Sequence, residues 1–317
     1  MNKFIESQIN TFNSKRYNIY HNINNIKLNN NLLVIEIKDN KLIIDLENDF
    51  LCRKKNIKLI FEKLLKKYKL KDTIILIHLR DGYYWKSDLP VFNFAVPFGK
   101  KGLIFPNFDF CEFDLLQSNY DQLKNKFKKY IPEKIENDLY FKGGKSSIKK
   151  CQIREKLSEE KKPFNVIASK NYNESLYKIK DHKYLLDLSG VKPWSVRFKY
   201  LLLAERVIFR ISFYNPEIGE KGYFRQFYDY ILNDKEDYVH LIYKLNYDEC
   251  ISDSLYKKIK EDILNKYTFF EKNPDKYIKI VNSLNKKIKK ININSMLKYL
   301  YQLISEYTDK VLQEISI

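Results

Sequence analysis

The run Tyr184-Leu-Leu-Asp-Leu-Ser-Gly-Val-Lys-Pro-Trp-Ser-Val-Arg197 joins a nearly continuous apolar stretch to a glycine break and then to a segment of helical spacing. An apolar stretch bounded in this way reads as a strand buried on both faces. The segment from Ser195 to Ala204 reads as a helix. A strand, a tight turn and a helix start bearing Ser195 and Arg197 make a seat for a phosphate, because backbone N–H groups and the helix dipole face the anion. The plainer alternative is a βα turn with a surface arginine, since such motifs are loose.

Working outward, the same alternation of elements recurs on both sides. Upstream, Leu32 to Asp45 alternates apolar and polar residues around Asp39-Asn40-Lys41, the pattern of a β-hairpin. Asn56 to Lys69 has helical spacing, Asp72 to Leu79 is a buried-looking strand ending at Arg80-Asp81-Gly82, and Val91 to Ala95 is a further strand. Strand, helix and strand with short connections follow the βαβ logic of a parallel sheet. Leu116 to Lys129 reads as a helix, and the polar, proline-bearing stretch 131–137 as a boundary.

A second αβ series follows: a strand at 138–142, the loop Gly143-Gly144-Lys145-Ser146-Ser147, a helix near 149–160, the strand 184–188, the helix 195–204 and a strand at 206–212. Three amphipathic helices, 255–267, 274–289 and 293–313, close the chain. The expected organisation is α/β, with domains at 1–135 and 136–292 and a C-terminal helix, 293–317, packing back on the first domain. Open α/β sheets bind ligands at their carboxyl edges, which places the expected site in a cleft between the two halves.

Composition narrows the function classes. With 317 residues and 44% hydrophobic content, the chain has material for two cores. Its net charge of +18 comes mostly from lysines scattered among asparagine, isoleucine and tyrosine, so charge alone does not argue for a nucleic-acid partner. No stretch approaches the roughly 18 apolar residues of a membrane span. The polar start Met1-Asn-Lys-Phe-Ile-Glu-Ser lacks the apolar core of a secretory signal, so a cytoplasmic product is expected. Cys52, Cys111, Cys151 and Cys250 have neither zinc-ribbon nor disulfide-framework spacing, and the four histidines are equally dispersed. His78 and His182 sit in or beside apolar strands and read as satisfied core residues.

Several segments, in order, resemble glycosyltransferase family 90, the protein O-glucosyltransferases and fungal capsule-associated proteins. They are His78-Leu-Arg80-Asp81 followed by Pro90-Val91-Phe92-Asn93-Phe94, then Tyr140-Phe141-Lys142-Gly143-Gly144-Lys145-Ser146-Ser147, then His182 to Leu202, and finally Phe227-Tyr228 through Asp237-Tyr238-Val239-His240. The resemblance covers about residues 33 to 305 at the level of pattern. It departs at Lys142, where the family has arginine, at Gly144, where it has serine or threonine, and at Gly82 after Arg80-Asp81.

The resemblance implies two Rossmann-like domains facing across a cleft, the GT-B arrangement, and an inverting, metal-independent enzyme. Such an enzyme moves glucose or xylose from a UDP-sugar to a hydroxyl of a protein or glycan, and no cofactor is expected. The first domain is then the acceptor side and the second the donor side. Asp81 becomes the base that takes the acceptor proton. Arg197 and Arg154 neutralise the departing diphosphate, aided by Lys142, Ser195, Ser146 and the backbone N–H groups of Gly143 and Gly144. Lys150 substitutes for Arg154 in a tighter alignment, and Tyr228 is a weaker donor-site candidate. Two other readings remain: a basic nucleic-acid-binding protein, and a catalytically inactive relative that binds a glycan or partner, which the changes at Lys142 and Gly144 keep open.

Overall fold

The computed structural model describes residues 1–12, 16–19, 31–46, 50–80, 83, 89–97, 100–111, 118–144, 152–169, 176–188, 197–214, 224–245 and 250–312. Its elements begin with α1 (Asn2–Ile9), β1 (Leu32–Lys38), β2 (Lys41–Ile44), α2 (Leu51–Lys67), β3 (Thr73–His78), β4 (Val91–Asn93), β5 (Val96–Pro97), β6 (Leu103–Ile104) and α3 (Tyr120–Lys129). They continue with β7 (Glu136–Gly143), α4 (Ile153–Ser158), β8 (Phe164–Ala168), β9 (His182–Leu188), α5 (Phe198–Leu201) and β10 (Val207–Tyr214). The last are β11 (Phe224–Arg225), β12 (Val239–Lys244), α6 (Asp253–Lys272), α7 (Pro274–Ile288) and α8 (Ile293–Lys310). The chain is α/β and forms two compact units: Met1–Leu123 with Phe224–Tyr230 and Ile291–Ile317, and Lys124–Tyr223 with Ile231–Lys290.

In the first unit the sheet runs β2-β1-β3-β4-β6. Asp39 and Asn40 both take positive φ, 50° and 58°, so a two-residue turn folds β1 back on β2 with the twist that a hairpin requires. The hairpin is as expected, but it makes the sheet mixed instead of wholly parallel. β1 sits between β2 and β3 and is antiparallel to both, whereas β3, β4 and β6 are mutually parallel.

All six residues of β3 are buried, as a strand covered on both faces must be. Helix α2 buries Ile57, Ile60, Phe61 and Leu64. Helix α8, begun by a capping box between Asn292 and Ser295, sends its Tyr307 hydroxyl to the Ile74 carbonyl at 2.8 Å and its Tyr299 hydroxyl to the Ile104 carbonyl at 2.9 Å. β3 leads to Leu79, whose carbonyl accepts from Arg53 Nη1. Arg80 follows, and Asp81 lies outside the described residues.

The second unit is built on a five-stranded sheet in the order β12-β10-β9-β7-β8, parallel throughout. Numbered along the chain within the unit, this is the 2-1-3-4-5 order of the flavodoxin-like doubly wound fold. One face carries the main core, where Leu139, Phe141, Leu186, Leu188, Phe209 and Ile211 meet α4, α6 and α7. Near the amino end of the sheet, His182 is indeed satisfied. Its Nδ1 lies 2.9 Å from the Asp138 carboxylate, and its ring stacks on Tyr140 at 3.7 Å. Two strands of this sheet, β8 and β12, were not expected from periodicity.

The helix expected at 195–204 is one α-turn, Phe198–Leu201, followed by a 3-10 turn, Leu202–Ala204, that ends at Glu205 with φ 59°. So short a helix sums few peptide dipoles, so positive charge near it comes mainly from side chains. No described helix is long and apolar enough to cross a membrane.

Candidate functional site

In a 2-1-3-4-5 sheet the connection after the first strand goes to one side and the connection after the third goes to the other, which opens a crevice at their carboxyl ends. Here those strands are β7 and β9, so the crevice lies beyond Gly143-Gly144 and Leu188. Arg154 spans it. From the first turn of α4, its Nη1 donates to the Gly144 carbonyl at 2.9 Å and its Nη2 to the Leu188 carbonyl at 2.7 Å. A planar guanidinium with parallel donors suits such a bridge, and a lysine would not reproduce it.

Arg197, at the start of α5, reaches the same place. Its Cζ lies 4.5 Å from the centroid of the Phe141 ring, and the Cζ of Arg154 lies 5.0 Å from it. The two guanidinium groups thus share one aromatic platform, a contact in which the ring quadrupole stabilises cations. Gly143 makes the approach possible. A Cβ there would stand 2.5 Å from Arg197 Nη2, 2.9 Å from its Nη1 and 2.8 Å from Phe141 Cζ. Its φ is ordinary, so the requirement for glycine is one of space.

Gly143→Ala is therefore expected to push the Arg197 head group off the platform. The Arg197 head group ends a flexible side chain and can move, but the buried Phe141 ring must also give, so the melting temperature should fall as well. Affinity for an anion held by Arg197 should fall about tenfold, in line with one charge-assisted hydrogen bond. Titration with inorganic pyrophosphate checks this, and unchanged affinity would show that the close approach is incidental.

Of the other expected side chains, Lys142 and Tyr228 are among the described residues. Lys142 projects from β7 to the side opposite Phe141 and Gly143, since neighbours on a strand alternate, and it is half-buried there. Tyr228 belongs to the first unit, where it is 1% exposed and packs near Phe110 and Phe227, so it is a core ring. Asp81, Ser146, Lys150 and Ser195 lie outside the described residues, as does Trp194. Among the described residues there is no group of three or more His, Cys, Asp or Glu side chains able to hold a metal ion.

Sequence reasoning passed over Phe141, which reads as one more apolar strand residue, and a buried polar row on the opposite face of the sheet. Arg210 on β10 registers with Asp187 on β9 and with His240 on β12. Opposite charges inside the apolar runs 184–188 and 207–213 were the available signal. His240 Nε2 sits 2.9 Å from the Ser212 hydroxyl. Burial, and then the positive charge of Arg210, push the His240 pKa from 6.5 down to about 3.

The folded chain therefore keeps His240 neutral over a range in which the unfolded chain binds a proton. Its contribution to stability is complete above about pH 6.5 and is lost as pH falls toward 3. Two pH units below 6.5, the loss is about 3 kcal/mol. Urea unfolding at neutral pH and at about pH 4.5 should show that loss in wild type, and His240→Phe should show about that much less acid sensitivity. An equal slope in the two proteins would contradict the assignment.

Compared with models of known protein families and with curated protein sequences, the chain gives no match.

Proposed function

We propose that the protein is an inverting, metal-independent glycosyltransferase of the family 90 type that acts in the cytoplasm and moves glucose or xylose from a UDP-sugar to a hydroxyl of a protein or glycan. The observation that carries the reading is the meeting of Arg154 and Arg197 over Phe141 at the crevice between β7 and β9. Both arginines were singled out from their place in collinear motifs, and they come together where doubly wound sheets receive phosphorylated ligands.

The chemistry assigns each group a task. The acceptor oxygen attacks the anomeric carbon from the face opposite the diphosphate while Asp81 takes its proton. The bond from that carbon to the UDP oxygen breaks, and its electron pair leaves with UDP. Charge grows on the diphosphate as this happens, and a preorganised guanidinium lowers the barrier most when it is already in place. Arg197 fills this role. Arg154, whose two Nη atoms donate to backbone carbonyls, ties the two strand ends and holds the crevice open. The reading requires the two units to face each other across the sugar, the GT-B arrangement.

Incubation with UDP-glucose or UDP-xylose, with a chelator present, should release UDP and label an acceptor found by mass spectrometry of the products. Binding of UDP should exceed that of ADP and of single-stranded DNA. Preference for single-stranded DNA, with affinity falling steeply as salt rises, would favour the nucleic-acid reading instead.

A further inference from the structure

The row beneath α5 has no evident use in packing the sheet. Arg210 and Asp187 are 3% and 2% exposed, and Nε of the arginine stands 3.7 Å from Oδ2 of the aspartate. The other carboxylate oxygen, Oδ1, is buried with no hydrogen-bond partner among the described residues. Taking such a pair out of water is costly, and apolar residues of similar volume would hold three parallel strands at least as well.

What the pair does provide is a flat cationic seat. The Arg210 Cζ lies 4.4 Å from the centroid of the Phe198 ring and 6.0 Å from that of Tyr238. Phe198 and Tyr238 meet each other edge to face at 5.2 Å. Phe198 is fully buried and directly follows Arg197. The Arg197 carbonyl accepts from the Tyr200 and Leu201 N–H groups, so the backbone of Arg197 is part of the same tight turn. Fixing the Phe198 ring therefore fixes the direction in which the Arg197 side chain leaves the chain. The support is also economical in residues, because Asp187 holds Arg210 while its neighbour Leu188 offers the carbonyl that receives Arg154.

We infer that Arg210, held by Asp187 and acting through Phe198, is a positioning residue that aims Arg197 at the diphosphate. The inference rests on the UDP-sugar reading. Removing Arg210 alone would strand a buried carboxylate, so the pair is replaced together, as Asp187→Leu with Arg210→Met, with Phe198→Leu as an independent variant.

Titration of UDP and of uridine separates aiming from folding. Both variants should bind UDP about tenfold more weakly, the loss of one charge-assisted contact. They should bind uridine as wild type does and melt near the wild-type temperature. Built into Arg197→Met, neither change should weaken UDP further, because the group they aim is gone. Arg210→Lys should not restore UDP affinity, since an ammonium lacks the planar face that seats Phe198.

Three outcomes would overturn the inference. One is wild-type UDP affinity in a folded variant. Another is parallel loss of UDP and uridine, and the third is a full additional loss in the Arg197→Met background. Failure of the wild-type protein to bind UDP at all would remove the functional reading and this inference with it.

Discussion

Arg197→Met should weaken UDP binding by about one hundredfold while leaving uridine binding within a few fold. The side chain reaches the crevice through a gap that Gly143 leaves, and its guanidinium rests on Phe141. A bidentate contact from such a group to a diphosphate has the strength of two charge-assisted hydrogen bonds, about 1.5–3 kcal/mol each before reorganisation. Transfer should suffer more than binding, because charge on the leaving oxygen is greater in the transition state than in the bound donor. Loss of one preorganised donor to a developing anion costs about 10²–10³ in kcat. Arg197→Lys should recover only part of the loss, since the charge returns without the fork. Isothermal titration with UDP and uridine, followed by single-turnover transfer, measures both components. Equal loss of the two ligands would mean that the substitution had damaged the fold and not a contact.

Asp81→Asn should leave UDP affinity unchanged and lower transfer by about 10³, the scale of a positioned general base. The residue follows Arg80 at the carboxyl side of β3, whose exit is held by the bond from Arg53 to the Leu79 carbonyl. The proton to be removed belongs to the acceptor, so the donor should bind to the variant as it does to wild type. Wild-type transfer by Asp81→Asn with the identified acceptor would place the base elsewhere.

The parts of the fold that could be read from sequence are those in which one physical signal dominates. β3 and the Tyr184–Leu188 part of β9 are largely apolar because both faces of the strand are covered there. Asp39-Asn40 announces a hairpin because few residue pairs tolerate two positive φ angles. The three C-terminal helices show themselves through apolar spacing alone. What stayed hidden depends on pairing across the chain. That β1 lies between β2 and β3 is a matter of partner choice that no local pattern encodes. β8 is an edge strand whose burial varies along its length, and an edge strand carries a weaker apolar signature than an interior one.

The site divides along the same line. Arg154 and Arg197 could be nominated from motif order, but their common platform, Phe141, could not, because a buried ring and a functional ring look alike in sequence. Lys142 was grouped with them through the resemblance, at the place where the family has arginine, and strand alternation sends its side chain out on the face opposite Phe141. Asp187 and Arg210 were visible as charges inside apolar strands. Their mutual register, and the seat that Arg210 gives Phe198, required the sheet order.

Hydrogen exchange with and without UDP tests the central claim most directly, because it maps where the nucleotide acts on the backbone. The expected result is slowed exchange in residues 141–154 and 190–199, the segments that flank the ends of β7 and β9, and loss of that protection in Arg197→Met. Unchanged exchange in both segments at saturating UDP, or protection confined to other parts of the chain, would contradict it.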